Sequence, residues 1–115
     1  MDDAEVRRLL QENRTVAVIG ISRKPAKAAH RVPAFLVDAG FDVIPINPFA
    51  EEVLGRTCYK ALAEIPGPVG IVDVFRPSED ALDVVEAAVR RHHAHGDVSL
   101  IWLQRRASPT WRTAV

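Results

Sequence analysis

Residues 15–20 of the chain read Thr-Val-Ala-Val-Ile-Gly. No polar side chain lies between Val16 and Ile19, and three of those four residues are β-branched. Such a run is typical of a strand that is covered on both faces, as strands are in parallel sheets flanked by helices. Gly20 then supplies a turn. The segment therefore predicts the central strand of an α/β sheet.

A cationic loop follows this strand. Four basic residues fall within nine positions, and no acidic residue occurs between Glu12 and Asp38; the four are Arg23, Lys24, Lys27 and Arg31. An apolar helix is predicted to begin near Val32, because Pro33 fits the first turn of a helix but not its interior. A strand, a glycine turn and a helix N-terminus form a common phosphate site. The alternative is a solvated loop that binds nothing.

Composition limits the class of protein. The chain has 115 residues, enough for one domain, with 15 basic and 15 acidic residues and a formal net charge of zero. This balance indicates neither a nucleic acid nor a membrane surface as a partner. Cys58 is the single cysteine, the start of the chain is too acidic for a signal peptide, and no apolar run reaches membrane-spanning length. We expect a cytoplasmic protein.

The remaining elements alternate between strands and helices, which indicates a parallel sheet with right-handed crossovers. Further strands are predicted at residues 41–46, 57–59, 69–75 and 98–103, and further helices at 2–13 and 77–95. Residues 51–55 are predicted as a helical turn that a glycine ends. The predicted fold class is α/β: a Rossmann-like three-layer sandwich with a mostly parallel sheet of about five strands and helices on both faces.

The residue at the tip of the second predicted strand helps to distinguish between possible nucleotide ligands. A nicotinamide dinucleotide fold places an Asp or Glu there to bind the ribose hydroxyls, whereas this chain has Asn47 followed by Pro48. An uncharged amide tolerates a phosphorylated ribose that a carboxylate would repel. The alternative is that Asn47 only forms the turn with Pro48.

No catalytic or metal-binding set is predicted. His92 and His93 are neighbouring helix positions that point apart, and no carboxylate or cysteine completes a metal site with them. They are interpreted as surface residues that complement the helix dipole. Cys58 has no base near it in sequence and is interpreted as a small buried hydrophobe.

Several motifs together resemble the small bacterial stand-alone CoA-binding proteins, relatives of the N-terminal CoA-binding domain of the succinyl-CoA synthetase α subunit. The resemblance extends over about residues 4–104. It is carried by Val18-Ile19-Gly20-Ile21-Ser22, Lys24-Pro25, Arg31-Val32, Val43-Ile44-Pro45-Ile46-Asn47-Pro48, Val53-Leu54-Gly55, Cys58-Tyr59 and Val72-Asp73-Val74-Phe75-Arg76. It implies a Rossmann-like sheet that holds coenzyme A across the C-terminal ends of its strands.

The resemblance also implies the binding residues. Phosphate contacts map onto Gly20, Ile21, Ser22, Lys24 and Arg31; the adenosine lies beside Asn47 and Pro48; the opposite wall is Val74, Phe75 and Arg76. The chain is thus expected to bind CoA or an acyl-CoA as a small-molecule ligand, with no catalysis of its own. The alternative is an NAD(P)-binding Rossmann domain of an oxidoreductase or redox sensor. Against this alternative are the amide at the strand tip and a single glycine where three are usual.

The end of the chain departs from the family pattern. The resemblance implies a further helix and strand after residue 104, and residues 105–115 form a different tail, as in a truncated or frame-altered reading of the gene. The expected organisation is a CoA-binding domain over 1–104 and this tail. Strand 98–103 then becomes an apolar edge, which invites pairing with a second copy or a partner protein unless the tail, through Trp111, covers it.

Overall fold

The computed structural model describes residues 2–76 and 81–103. These residues form three α-helices, six β-strands and one short 3-10 helix. In chain order they are α1 (Asp3–Glu12), β1 (Thr15–Ile19), α2 (Ala28–Asp38), β2 (Asp42–Ile46), β3 (Glu52–Val53), β4 (Arg56–Thr57), the 3-10 helix (Leu62–Glu64), β5 (Ile71–Val74), α3 (Ala81–His95) and β6 (Leu100–Leu103).

The main sheet contains four parallel strands in the order β2-β1-β5-β6. Its strand β1 lies between two partners, as the apolar run predicts. The predicted fifth strand at residues 57–59 does not form as one strand: Thr57 belongs to β4, and Tyr59 makes a single parallel bridge with Ile46. The α/β prediction is confirmed.

Two apolar clusters occupy the two faces of the sheet. Val16 and Val18 of β1 point to the face where Leu36 of α2 packs, while Ala17 and Ile19 point to the face where Ala88 of α3 packs. Because consecutive strand residues point to opposite faces, an uninterrupted apolar run is buried only when both faces are covered. The helices thus make the three layers expected of a Rossmann-like fold.

Helix α2 begins earlier than predicted. The expected start near Val32 is wrong: the helix begins at Ala28 and includes Pro33 in its interior. A proline has no N–H for the carbonyl four residues earlier, here that of Ala29. This carbonyl instead accepts the N–H of Ser22, with a nitrogen–oxygen distance of 3.1 Å. A contact from outside the helix therefore replaces the bond that the proline removes.

The predicted helical turn at residues 51–55 is also wrong. Strands β3 and β4 form an antiparallel hairpin there. Its turn residues Leu54 and Gly55 have φ angles of 56° and 71°. Positive φ at both central positions is the requirement of a type I′ turn, the turn whose twist matches that of a two-residue hairpin. Gly55 thus forms part of a hairpin turn and does not end a helix.

Strand β6 pairs with β5 and, within the described residues, lies at an edge of the sheet. Pairing of this edge with another chain stays a prediction. The predicted start of the third helix at residues 77–80 and the predicted tail at 105–115 lie outside the described residues. Across the described part of the chain, no helix is long and apolar enough to cross a membrane.

Candidate functional site

The carboxyl ends of three strands meet around Gly20. The N–H of Gly20 donates to the carbonyl of Ile46 at the end of β2 (3.3 Å), and the N–H of Phe75 after β5 donates to the carbonyl of Ile19 (2.8 Å). Gly20 has a φ of +82°, and a Cβ built on it would lie 2.4 Å from the carbonyl oxygen of Phe75. Glycine is therefore required here both by its conformation and by the close approach of the next strand.

Asn47 connects β2 to the same turn. Its side-chain Nδ2 donates to the carbonyl of Ile21 at 2.9 Å, and its Oδ1 accepts the N–H of Phe49 at 2.8 Å. The second bond is the turn expected of an Asn-Pro pair. The first is a contact across 26 positions of sequence, so Asn47 does more than form a turn.

The cationic loop is anchored to the start of α2. The carbonyl of Ser22 accepts a hydrogen bond from His30 Nδ1 (2.8 Å), and the Ser22 Oγ accepts the N–H of Lys24 (3.0 Å). The guanidinium of Arg31 donates to the carbonyl of Ala26. These contacts hold the loop of residues 22–27 against the first turn of α2.

The four cations predicted for this loop are exposed: Arg23, Lys24 and Lys27 lie in the loop, and Arg31 lies in the first turn of α2. None of them takes part in the four salt bridges found in the described part of the chain. The N–H groups of Ala28 and Ala29 lie in the first helical turn, where a helix provides no partner for them. Unpaired cations beside such N–H groups favour an anion.

The predicted binding residues differ in their accessibility. Lys24, Arg31, Pro48 and Arg76 are exposed, while Gly20, Ser22, Asn47 and Phe75 are half-buried. Ile21 and Val74 are only 1% and 0% exposed, so their side chains belong to the core. These two side chains lie beneath the surface, and the other eight residues are at least partly accessible.

Sequence reasoning missed Phe49. Its ring is 88% exposed directly after the Asn-Pro turn, and its N–H is held by Asn47. An aromatic residue next to a predicted strand tip was the available signal. The helical N–H groups of Ala28 and Ala29 were missed as well, because the start of α2 was placed four residues too late.

Cys58 is half-buried and packs against one of the apolar clusters. Burial raises the pKa of its thiol above the ordinary value; the charge of Arg23 lowers it in part, and that of Glu52 adds to the rise. A thiol that resists ionisation is a poor nucleophile. Among the described residues, no three His, Cys, Asp or Glu side chains are grouped so as to hold a metal ion.

A groove of about 560 Å³ lies at the opposite, amino-terminal end of the strands, between α3 and residues 62–68. The polar groups on the floor of this groove form hydrogen bonds with one another. Arg91 donates to Asp97 Oδ2 (3.0 Å) and to the carbonyls of Leu62 (3.0 Å), Ile65 (3.2 Å) and Gly67 (2.6 Å). His92 Nδ1 contacts the carbonyls of residues 97 and 98, so this histidine joins α3 to the segment that precedes β6 rather than serving only as a surface group.

The parallel sheet, the helices on both faces and the glycine turn at the carboxyl end of β1 define a Rossmann-like α/β domain. The sequence pattern of the family described as "CoA binding domain" matches residues 14–113. The chain belongs to this family.

Three proteins that are similar to this chain are the following. The uncharacterised protein YneT of Bacillus subtilis is 37% identical over 102 residues, covering 89% of this chain and 72% of YneT. The α subunit of acetate–CoA ligase (ADP-forming) II of Pyrococcus furiosus is 39% identical over 67 residues, which are 57% of this chain and 15% of the subunit. The structure of a hypothetical protein from Pyrococcus horikoshii superimposes with a TM-score of 0.81 at 33% identity, over 89% of this chain and 68% of that one.

Proposed function

We propose that this protein binds coenzyme A or an acyl-CoA at the carboxyl ends of β1, β2 and β5, as a binding module without catalytic activity of its own. The observation that carries the proposal is the set of four exposed loop cations, none paired with a carboxylate of the described residues, around the N-terminus of α2. In a chain with no net charge, such a local excess favours a multiply phosphorylated ligand.

The ligand is oriented by the two sides of the site. Its phosphates lie against the loop, where the ammonium of Lys24, the guanidinium of Arg31 and the first N–H groups of α2 donate hydrogen bonds. Its adenosine lies at the tip of β2, beside Asn47 and Pro48. An uncharged tip accepts the 3′-phosphate of CoA, whereas the carboxylate usual in NAD-binding domains would repel it.

The deciding experiment is a calorimetric titration with CoA, dephospho-CoA, NAD and NADP side by side. CoA should bind most tightly, and loss of the 3′-phosphate should weaken binding by about 1.5–3 kcal/mol, the value of a charge-assisted contact. Equal affinity for CoA and dephospho-CoA would contradict the proposed role of the phosphate. Tighter binding of NAD or NADP would favour the alternative, a nicotinamide-binding domain.

A second experiment locates the phosphates. Lys24→Ala should weaken CoA binding, and the difference from the parent protein should shrink as salt screens the charge. Arg90→Ala is the matched control, because Arg90 is an exposed cation on the last half of α3, at the other end of the sheet. An equal loss of affinity in both variants would indicate a general charge effect rather than a site at the loop.

A third experiment locates the adenine. We expect its ring to stack on Phe49, and base–aromatic stacking is worth about 1–3 kcal/mol. Phe49→Ala should weaken CoA binding and leave the affinity for 4′-phosphopantetheine, which lacks adenine, unchanged. Phe35→Ala removes another exposed ring, 69% exposed on α2, and should affect neither ligand.

A further inference from the structure

Pro33 lies in the interior of α2, its sixth residue, and is buried. A proline at such a position removes a backbone hydrogen bond and usually destabilises a helix. The carbonyl left without its helical donor is that of Ala29. In this structure it accepts the N–H of Ser22, which reaches it from the cationic loop at 3.1 Å.

Ser22 is thereby held at both of its backbone groups by two consecutive residues of α2. Its N–H donates to Ala29, and its carbonyl accepts from His30 Nδ1 at 2.8 Å. Its Oγ in turn accepts the N–H of Lys24 at 3.0 Å. The position of Lys24 relative to the helix N-terminus therefore depends on how Ser22 is anchored.

We propose that Pro33 is a positioning residue for the cationic loop: it has no N–H to compete for the Ala29 carbonyl and so reserves that carbonyl for Ser22. Any other residue at position 33 would donate to the same carbonyl along the helix axis. The significance for ligand binding rests on the proposed CoA function.

The anchoring also changes which donors the loop presents. Because the N–H of Ser22 is used inside the protein, it is not offered to a phosphate. The donors that remain include the N–H groups of Ala28 and Ala29, the hydroxyl hydrogen of Ser22 and the side chains of Lys24 and Arg31. The predicted phosphate contact of Ser22 is therefore assigned to its hydroxyl and not to its backbone.

The test compares Pro33→Ala with Val32→Ala. Val32 is the neighbouring half-buried residue of α2, and its truncation removes volume without adding an N–H. Amide hydrogen exchange of Ser22 is measured by NMR without ligand, and CoA affinity by calorimetry. Pro33→Val, which fills more of the buried space than alanine, is the second variant with a restored N–H.

In both Pro33 variants the amide of Ser22 should exchange about fivefold faster, and the Kd for CoA should rise by about the same factor, the ratio that one net hydrogen bond represents. Val32→Ala should leave the exchange of Ser22 unchanged relative to the other loop amides. Unchanged protection of Ser22 in the Pro33 variants, or unchanged Kd values, would overturn the proposal. If the parent protein does not bind CoA, the proposed function fails, while the exchange of Ser22 still decides whether Pro33 anchors the loop.

Discussion

Replacement of Gly20 by alanine tests how tightly the strand tips are packed at the site. A residue with a side chain pays about 1–2 kcal/mol for the left-handed conformation that Gly20 adopts, with φ at +82°. The new Cβ would also lie 2.4 Å from the carbonyl oxygen of Phe75 and 3.2 Å from its carbonyl carbon. A backbone oxygen cannot rotate away as a side chain does, so one of the two segments must shift.

The shift has an estimable cost. Phe75 donates its N–H to Ile19 at 2.8 Å, and weakening this bond costs about 1 kcal/mol net. Alanine also stiffens the unfolded chain, which offsets about 0.4–1 kcal/mol. We therefore expect Gly20→Ala to lower the free energy of unfolding by about 1–2.5 kcal/mol. That is a large fraction of the ~5–15 kcal/mol typical of a domain.

Gly55→Ala is the matched control. Gly55 has a similar φ of +71°, but a Cβ built on it would meet nothing within 4 Å. The Gly55→Ala substitution has the conformational cost without the steric one, so we expect it to lower the free energy of unfolding by about 0–1.5 kcal/mol.

The assay is urea unfolding followed by circular dichroism, with the midpoints compared at equal slopes. Equal destabilisation by the two variants would refute the reasoning, because it would mean that the contact with Phe75 has no cost. A residue larger than alanine at position 20 should therefore impair folding before it affects ligand binding, because its side chain would clash with the backbone of Phe75.

Two further predictions concern charged and titratable groups away from the loop. Arg91→Ala should destabilise the protein by about 3–5 kcal/mol, because it leaves the largely buried carboxylate of Asp97 without its cation. Arg90→Ala removes a guanidinium whose side chain is 71% exposed and should change the stability by less than about 0.5 kcal/mol. Urea unfolding measures both variants, and equal effects would contradict the structural role of Arg91. Burial raises the pKa of Cys58, so its alkylation by iodoacetamide should be slower than that of a free cysteine at neutral pH and should still be rising with pH where the rate for a free cysteine has levelled off. Arg23→Ala should slow it further, because the charge of Arg23 lowers that pKa; faster alkylation in this variant would contradict the assignment.

Local sequence determined the layers of this protein. The apolar run of β1 requires cover on both faces, and the regular alternation of strands and helices supplies it with parallel neighbours. The cluster of cations after Gly20 could likewise be located from sequence, because an acid-free segment of 25 residues surrounds it. These features follow from periodicity and charge, which act over a few neighbouring positions.

Tertiary contacts decided the rest. Local rules end a helix at an interior proline, yet α2 continues through Pro33. It can do so because the N–H of Ser22, eleven positions before Pro33, donates to the Ala29 carbonyl that Pro33 leaves without a helical donor. Asn47 reaches Ile21 across 26 positions, and Arg91 reaches three carbonyls that lie 24–29 positions away. No periodicity encodes such pairs, because each depends on where two distant segments meet after folding. The sheet brings those segments together, and their unpaired polar groups then satisfy one another.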